Sequence, residues 1–123
     1  MKIIIDTHIF LWALSEPNKI QTRLLQELES PTNTIYVSSI TVVELMIKTS
    51  MGKIPVNFDP IEVAQQSGFE MLDFSAQDAL ALKDMPFHHK DPFDRMLVAQ
   101  GIARNHTIMT QDLKFSLYEC VLV

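Results

Sequence analysis

Short β-branched and aromatic runs alternate with helical segments along the whole chain, and this order leaves few folds open. Strands separated by helices pair in parallel and need helices packed over the sheet. The expected fold class is therefore α/β, with a central, mainly parallel sheet. Sites in such sheets form beyond the carboxyl ends of the strands.

Residues 2–5 read as a buried strand, His8–Leu14 as a short helix, and residues 19–29, after Pro17, as a second helix that stops before Pro31. Thr34–Val37 is β-branched and aromatic, a second strand. Ser38 or Ser39 then caps a helix running to about Met51 and ended by Gly52. Residues 61–67 look helical and Phe69–Leu72 extended, and Ser75-Ala-Gln-Asp78 opens a helix through Asp84 in capping-box style. Pro86–Lys90 is a loop. Asp91-Pro92 supplies a cap and a first-turn proline for a helix reaching about Asn105, and Thr107–Met109 and Cys120–Val123 complete the strands. No repeat, low-complexity tract or linker interrupts the 123 residues, so one domain spanning 1–123 is expected.

Four acids stand out against this pattern. Asp6 closes the run Ile3-Ile4-Ile5, Asp112 follows Ile108-Met109-Thr110, and Glu44 and Asp94 fall among apolar helix positions. Ionised side chains in such places are costly unless something positive compensates them. Their convergence would build a divalent-metal site. At helical spacing Ile40, Val43, Ile47 and Met51 share the Glu44 face, which puts that carboxylate in an apolar stripe. Asp94 shares a face with Leu97, Val98 and Gly101 and points inward, whereas Asp91 reads as the cap or an outer-shell residue. Asp6 and Asp112 each have a plain alternative as a helix or turn cap. Their matching positions at strand ends favour a shared role. Thr110 either orients a carboxylate or a metal-bound water, or bonds backbone.

The formal charge of −5, from 15 acids against 10 Lys and Arg, argues against long-range attraction of a polyanion. Setting the four site acids aside leaves 15 − 4 = 11 against 10, so the excess is largely the site itself. Bound cations would reverse that local field. His88 and His89 lie side by side on a loop with no cysteine or spaced histidine to complete a zinc set, and are expected to be solvated. Lys48, Lys90, Arg95 and Arg104 could meet phosphates, against a default of surface solvation; Lys90, Arg95 and His88 stand as substrate-binding candidates. Phe10, Leu11 and Trp12 are expected in the core. There is no Walker loop or glycine dinucleotide fingerprint. Cys120 is the only cysteine, so no intrachain disulfide forms, in keeping with a reducing, cytoplasmic setting. No apolar run approaches the ~18 residues of a spanning helix, and a membrane partner is not expected.

The segments Ile-Ile-Ile-Asp6-Thr-His, Val-Ser-Ser-Ile-Thr-Val-Val-Glu44-Leu, His-His-Lys-Asp-Pro-Phe-Asp94-Arg and Ile-Met-Thr110-Gln-Asp112 together resemble the PIN domain, with the nearest likeness to the VapC-like toxins of prokaryotic toxin–antitoxin pairs. The likeness spans essentially the whole chain, in the family's order and spacing. It implies a three-layer fold with a central parallel sheet and a Mg²⁺- or Mn²⁺-dependent ribonuclease. It also implies an enzyme that is often dimeric, is held inactive by a cognate antitoxin and leaves 5′-phosphate and 3′-hydroxyl products. The family's acidic positions carry over onto Asp6, Glu44, Asp94 and Asp112, with Thr110 as the accompanying hydroxyl. The lead-in His88-His89-Lys90-Asp91 departs from many relatives and leaves those roles open.

In the mechanism this suggests, Asp6 and Asp94 are inner metal ligands, Glu44 binds metal or positions the attacking water, and Asp112 holds a second ion directly or through water. Two rivals belong to other classes. A receiver-like Mg²⁺-binding signalling module fits less well, because Asp6 is followed by Thr7-His8 rather than a paired acid and Glu44 lies on a helix. A catalytically silent PIN scaffold would not need the acid set.

Overall fold

The computed structural model describes all residues, 1–123. Four strands, β1 (Lys2–Ile5), β2 (Thr34–Ser38), β3 (Glu70–Leu72) and β4 (Thr107–Met109), form one parallel sheet in the order β3-β2-β1-β4. The intervening helices are α1 (Thr7–Ser15), α2 (Thr22–Glu29), α3 (Ser39–Ser50), α4 (Pro60–Gln66), α5 (Ala76–Ala79) and α6 (Pro92–Arg104).

The unbroken isoleucine run fits because β1 is central and covered on both faces. Ile3, Ile4 and Ile5 are all fully buried. Side chains alternate across a strand, so Ile3 and Ile5 pack with Ile9, Phe10, Leu24 and Ala64 on one face, while Ile4 packs with Ile40 and Leu97 on the other. Phe10 is in the core; Leu11 and Trp12 pack against it half-buried. A third cluster, around Val98, Ile108 and Phe115, closes the β4 edge. There α6 approaches β4 so closely that a Cβ on Gly101 would lie 2.7 Å from Ile108 Cδ1.

Chain order and sheet order part company at β1. The first three strands run outward in one direction, and β4 then returns to the other side of β1. That reversal opens a crevice beyond the carboxyl ends of β1 and β4, the place where ligands bind in open α/β sheets.

Several ends follow the local signals. Asp59, Ser75 and Asp91 cap α4, α5 and α6, and Ser75 and Asp78 form a complete capping box. Ser38 caps α3, and Asn105 closes α6 in the left-handed region at φ 55°.

Other expectations require correction. The segment 19–29 is not one helix: a 3₁₀ turn spans Pro17–Lys19, and α2 starts only at Thr22. Ile20 turns extended to bury its side chain, and the Gln21 N–H is taken by Gln111 Oε1 at 2.7 Å. The helix opened by Ser75 keeps α geometry only to Ala79 and tightens into a 3₁₀ turn at Leu80–Leu82. Residues 120–123 form no full strand but a single parallel bridge, Ile108 with Leu122, because the 3₁₀ turn Leu113–Leu117 and Tyr118 use up the chain that would have extended along β4.

The inner face of α3 also differs. Val43, Ile47 and Met51 are 42–58% exposed, and the buried positions are Ile40, Thr41, Glu44 and Leu45. At about 100° per residue Ile40 and Leu45 lie about 140° apart, and each enters a different core cluster. What α3 encloses is the sector between these two anchors, which holds Glu44, Lys48 and Thr41. Glu44 is buried as expected, but in a polar seam with apolar edges.

Candidate active site

Each proposed acid is delivered by a different element. Asp6 leaves the carboxyl end of β1 and caps α1, its Oδ1 accepting the Ile9 N–H at 2.9 Å. Its backbone N–H donates to Met109 O, which continues the β1–β4 ladder one residue past the strand. Thr110, at the matching end of β4, donates through Oγ1 to Asp6 Oδ2 at 2.6 Å. The same Oγ1 accepts the Asp112 N–H at 3.0 Å. Asp112 caps the following turn through Oδ1, which accepts the Lys114 N–H, and its Oδ2 meets His89 Nε2 at 2.9 Å. Asp94 comes from the first turn of α6, behind the Asp91 cap.

Asp6, Asp94 and Asp112 line one open pocket of about 380 Å³, together with His8, Trp12 and Gln111. Glu44 approaches from α3. Its Oε1 accepts the Thr7 hydroxyl at 2.7 Å, and since that proton is used, the Thr41 hydroxyl donates to Thr7 Oγ1 across 3.1 Å. Its Oε2 is paired with Lys48 Nζ. Burial works against the Lys48 charge, yet Glu44, and beyond it Asp91 and Asp94, raise the Lys48 pKa above the ordinary lysine value. Lys48 is thus a resident cation at the edge of the acid group, not a solvated surface lysine.

Asp94 is the uncompensated member. Its carboxylate accepts no hydrogen bond from the protein, and the one basic nitrogen within salt-bridge distance, His89 Nε2, is 4.0 Å away. Burial, with added repulsion from Asp91, Glu44 and Asp6 and only partial relief from His89, pushes its pKa up to about 6. Burial likewise raises the Asp6 pKa above its ordinary value despite the hydrogen bonds from Thr110 and Ile9. Asp112 goes the other way. Burial tends to raise it, but the hydrogen bond from His89 and the Lys114 N–H outweigh that and hold it low.

His89 is the residue that sequence reasoning missed. The expectation of a solvated loop histidine fails, since its side chain is only 5% exposed and its Nε2 lies 2.9 Å from Asp112 Oδ2. Its ring stacks on Tyr118 and meets the edge of Phe115. The Tyr118 hydroxyl accepts the His89 backbone N–H at 2.9 Å and contacts Nδ1 at 3.0 Å. Nothing near His89 in sequence signals this, because Tyr118 is 29 positions away. The remaining candidates are placed as follows. His88 packs edge-on against Tyr118, and Lys90 is exposed. Arg95 is buried, donating to Pro86 O at 2.6 Å with its guanidinium 4.1 Å over the Phe87 ring. Arg104 forms a two-pronged pair with Asp78. Neither arginine is the solvated side chain expected by default.

The donor set suits a divalent cation. His89, Asp94 and Asp112 offer ligand atoms that all lie within 4.8 Å of one another. A half-buried carboxylate without a donor is the kind of group a cation would satisfy. Asp6 and Glu44 border this trio but are outside it.

Fold and site together define a parallel α/β protein with a carboxylate-lined crevice at its switch point. The family model for the PIN domain matches residues 3–119, and the chain belongs to that family. Among solved structures it is similar to VapBC2 from Rickettsia felis bound to a promoter DNA fragment, with a TM-score of 0.72 and 23% identity over 100% of this chain and 98% of that one. DNA-bound VapBC from Salmonella typhimurium gives 0.68 and 20%, covering 100% and 97%. VapBC-5 from Mycobacterium tuberculosis, a member of the VapBC family of toxin-antitoxin systems, gives 0.57 and 17%, covering 94% and 89%. No curated protein matches the chain. No helix is long and apolar enough to cross a membrane.

Proposed function

We propose that the chain is a Mg²⁺- or Mn²⁺-dependent endoribonuclease and the toxin of a toxin–antitoxin pair. The observation that carries this reading is Asp94: a half-buried carboxylate with no donor, sharing one pocket with Asp6 and Asp112. Likeness to solved VapBC structures, one of them described as a toxin-antitoxin system, supports the choice of partner.

Asp94 and Asp112, with Asp6 beside them, would hold the cation. When bound, it supplies Lewis acidity that makes a water nucleophilic near neutral pH and neutralises charge on the leaving oxygen. Thr110 fixes the Asp6 carboxylate and the turn that carries Asp112, so both face the crevice without rearrangement. Lys48 pairs with Glu44 Oε2 while the Thr7 hydroxyl donates to Oε1, which holds the Glu44 side chain next to Asp6. Glu44 would orient a water rather than close the ligand set, in keeping with its position outside the trio. Single-stranded RNA, whose unstacked backbone could lie along the open crevice, is the substrate proposed.

An antitoxin would lay an apolar segment over the exposed row Val43, Met46, Ile47 and Met51 of α3 and present a basic side chain to the acids. A second copy of the chain is the other occupant consistent with a dimeric toxin.

The test is cleavage of single-stranded RNA by purified protein with Mg²⁺, Mn²⁺ or a chelator. Cleavage should need the metal and fall by orders of magnitude in Asp6→Asn and Asp94→Asn. Equal cleavage by both variants would refute the assignment.

A further inference from the structure

We propose that His89 Nε2 is a direct nitrogen ligand of the divalent cation gathered by Asp94 and Asp112, which makes this a mixed nitrogen and oxygen site that favours Mn²⁺ over Mg²⁺. The inference rests on the metal-dependent reading above and deepens it.

Distances carry the first part. Donors that would share one octahedral ion at about 2.0–2.1 Å lie about 2.9 Å apart when adjacent and about 4.1 Å apart when opposite. His89 Nε2 is 2.9 Å from Asp112 Oδ2 and 4.0 Å from Asp94 Oδ2. The first separation matches an adjacent pair and the second an opposite pair. Without a cation the short contact is a hydrogen bond from Nε2–H to Asp112; with one bound, Nε2 would give up that proton to solvent and the ring's remaining proton would sit on Nδ1.

The second part is the support behind the ring. A metal-ligating histidine nearly always donates its other N–H to a fixed acceptor, which sets the tautomer and aims the lone pair. Tyr118 supplies that acceptor: its hydroxyl oxygen lies 3.0 Å from Nδ1 and also takes the His89 backbone N–H. With a cation bound, Nδ1–H would be donated to Tyr118 and the Nε2 lone pair would be aimed at the ion beside Asp94 and Asp112. Stacking on Tyr118 and the edge contact with Phe115 fix the plane of the ring, so the ligand is preorganised.

The consequence is selectivity. Imidazole suits transition-metal ions, whereas Mg²⁺ prefers oxygen and keeps its waters, so a nitrogen donor weighs against Mg²⁺ and leaves Mn²⁺, a transition ion that carboxylates also suit, as the better fit. Carboxylates alone suit Mg²⁺ and Mn²⁺ both.

Electron spin-echo modulation of Mn²⁺ bound to the intact protein reads the ligand directly. Nitrogen-14 modulation from a coordinated imidazole is expected in the parent protein, retained in His8→Gln, whose parent histidine also lines the pocket, and lost in His89→Gln. Calorimetry should show the Mn²⁺-over-Mg²⁺ affinity ratio falling at least about tenfold in His89→Gln, in line with losses seen when a ligand or its support is removed. Bound Mn²⁺ without nitrogen modulation in the parent, or modulation that follows His8 instead, would overturn the proposal and leave the metal-dependent reading standing. Failure of the parent to bind Mn²⁺ at millimolar concentration would overturn both.

Discussion

Thr110 Oγ1 donates a 2.6 Å hydrogen bond to Asp6 Oδ2, tying together two residues 104 positions apart at the adjoining ends of β4 and β1. The same oxygen accepts the Asp112 N–H, so one hydroxyl sets two of the acids that line the crevice. Thr110→Val keeps the shape and removes both bonds. Loss of a hydrogen bond to a charged acceptor should cost about 1–2 kcal/mol in denaturant unfolding. RNA cleavage should drop about 10- to 100-fold, as for other outer supports of metal sites. Unchanged cleavage together with unchanged stability would show that Thr110 does not set the acids.

The metal-free protein should be destabilised by its own site, and the effect should follow pH. Asp94 titrates at about 6 in the folded chain against an ordinary value of 3.8. A carboxyl whose folded pKa is raised binds its proton more tightly when folded, so ionisation works against the fold. The penalty is absent below about pH 3.8, grows between there and 6, and is complete above. Asp94→Asn should therefore be more stable than the parent at pH 8 by on the order of 2 kcal/mol, with the gap closing by pH 4. A gap that does not change with pH would contradict the assignment.

Divalent ions should reverse that penalty. Mn²⁺ at a hundredfold excess over its dissociation constant stabilises a folded-state binder by about 2.7 kcal/mol, read as a rise in melting temperature. Asp94→Asn, already relieved of repulsion, should show little of the rise. Equal shifts in parent and variant would place the ion elsewhere.

Arg104 holds Asp78, which is almost fully buried, through two hydrogen bonds of 2.8 and 3.1 Å. Burial tends to raise the Asp78 pKa, but the Arg104 and Ser75 contacts outweigh it and lower the value below 3.8. A depressed folded pKa gives stability that is present above 3.8 and lost as pH falls through the folded value. Arg104→Ala removes the charge partner but leaves the Ser75 N–H on Asp78 Oδ2, and with Arg104 a third exposed it should cost about 1–2 kcal/mol near neutral pH, less in acid. A loss of the same size at pH 3 would argue that packing rather than charge is at stake.

Gly101→Ala should destabilise the α6–β4 contact, since the new methyl would meet Ile108 Cδ1 at 2.7 Å and Cγ1 at 2.9 Å. Overpacking costs about 1–3 kcal/mol and the gain in helix propensity returns about 1. Adding Ile108→Val removes the Cδ1 atom and should recover part of the loss. If the single variant is as stable as the parent, the close approach has slack.

Legibility in the sequence followed the range of the forces involved. The isoleucine run of β1, the Ser75–Asp78 capping box and the Asp91-Pro92 start of α6 were readable because each is settled within a few residues. Asp6 and Asp112 were legible as strand-end acids for the same reason. The split of segment 19–29 was not, because Gln111, far along the chain, takes the Gln21 N–H. Nor was the inner face of α3, where Val43, Leu45, Met46 and Ile47 are all apolar and period alone cannot say which of them faces the sheet.

By itself the sequence determined the order of strands and helices, the helix caps, and which acids stand at element ends, because hydrogen bonding and side-chain periodicity over a turn or two decide those. Only the tertiary structure decided that β4 lies beside β1, that Lys48 neutralises Glu44, and that His89 is drawn inward to Tyr118 and Asp112. Those depend on packing between segments tens of residues apart, where the cost of burying a charge is met by a partner that no local pattern announces.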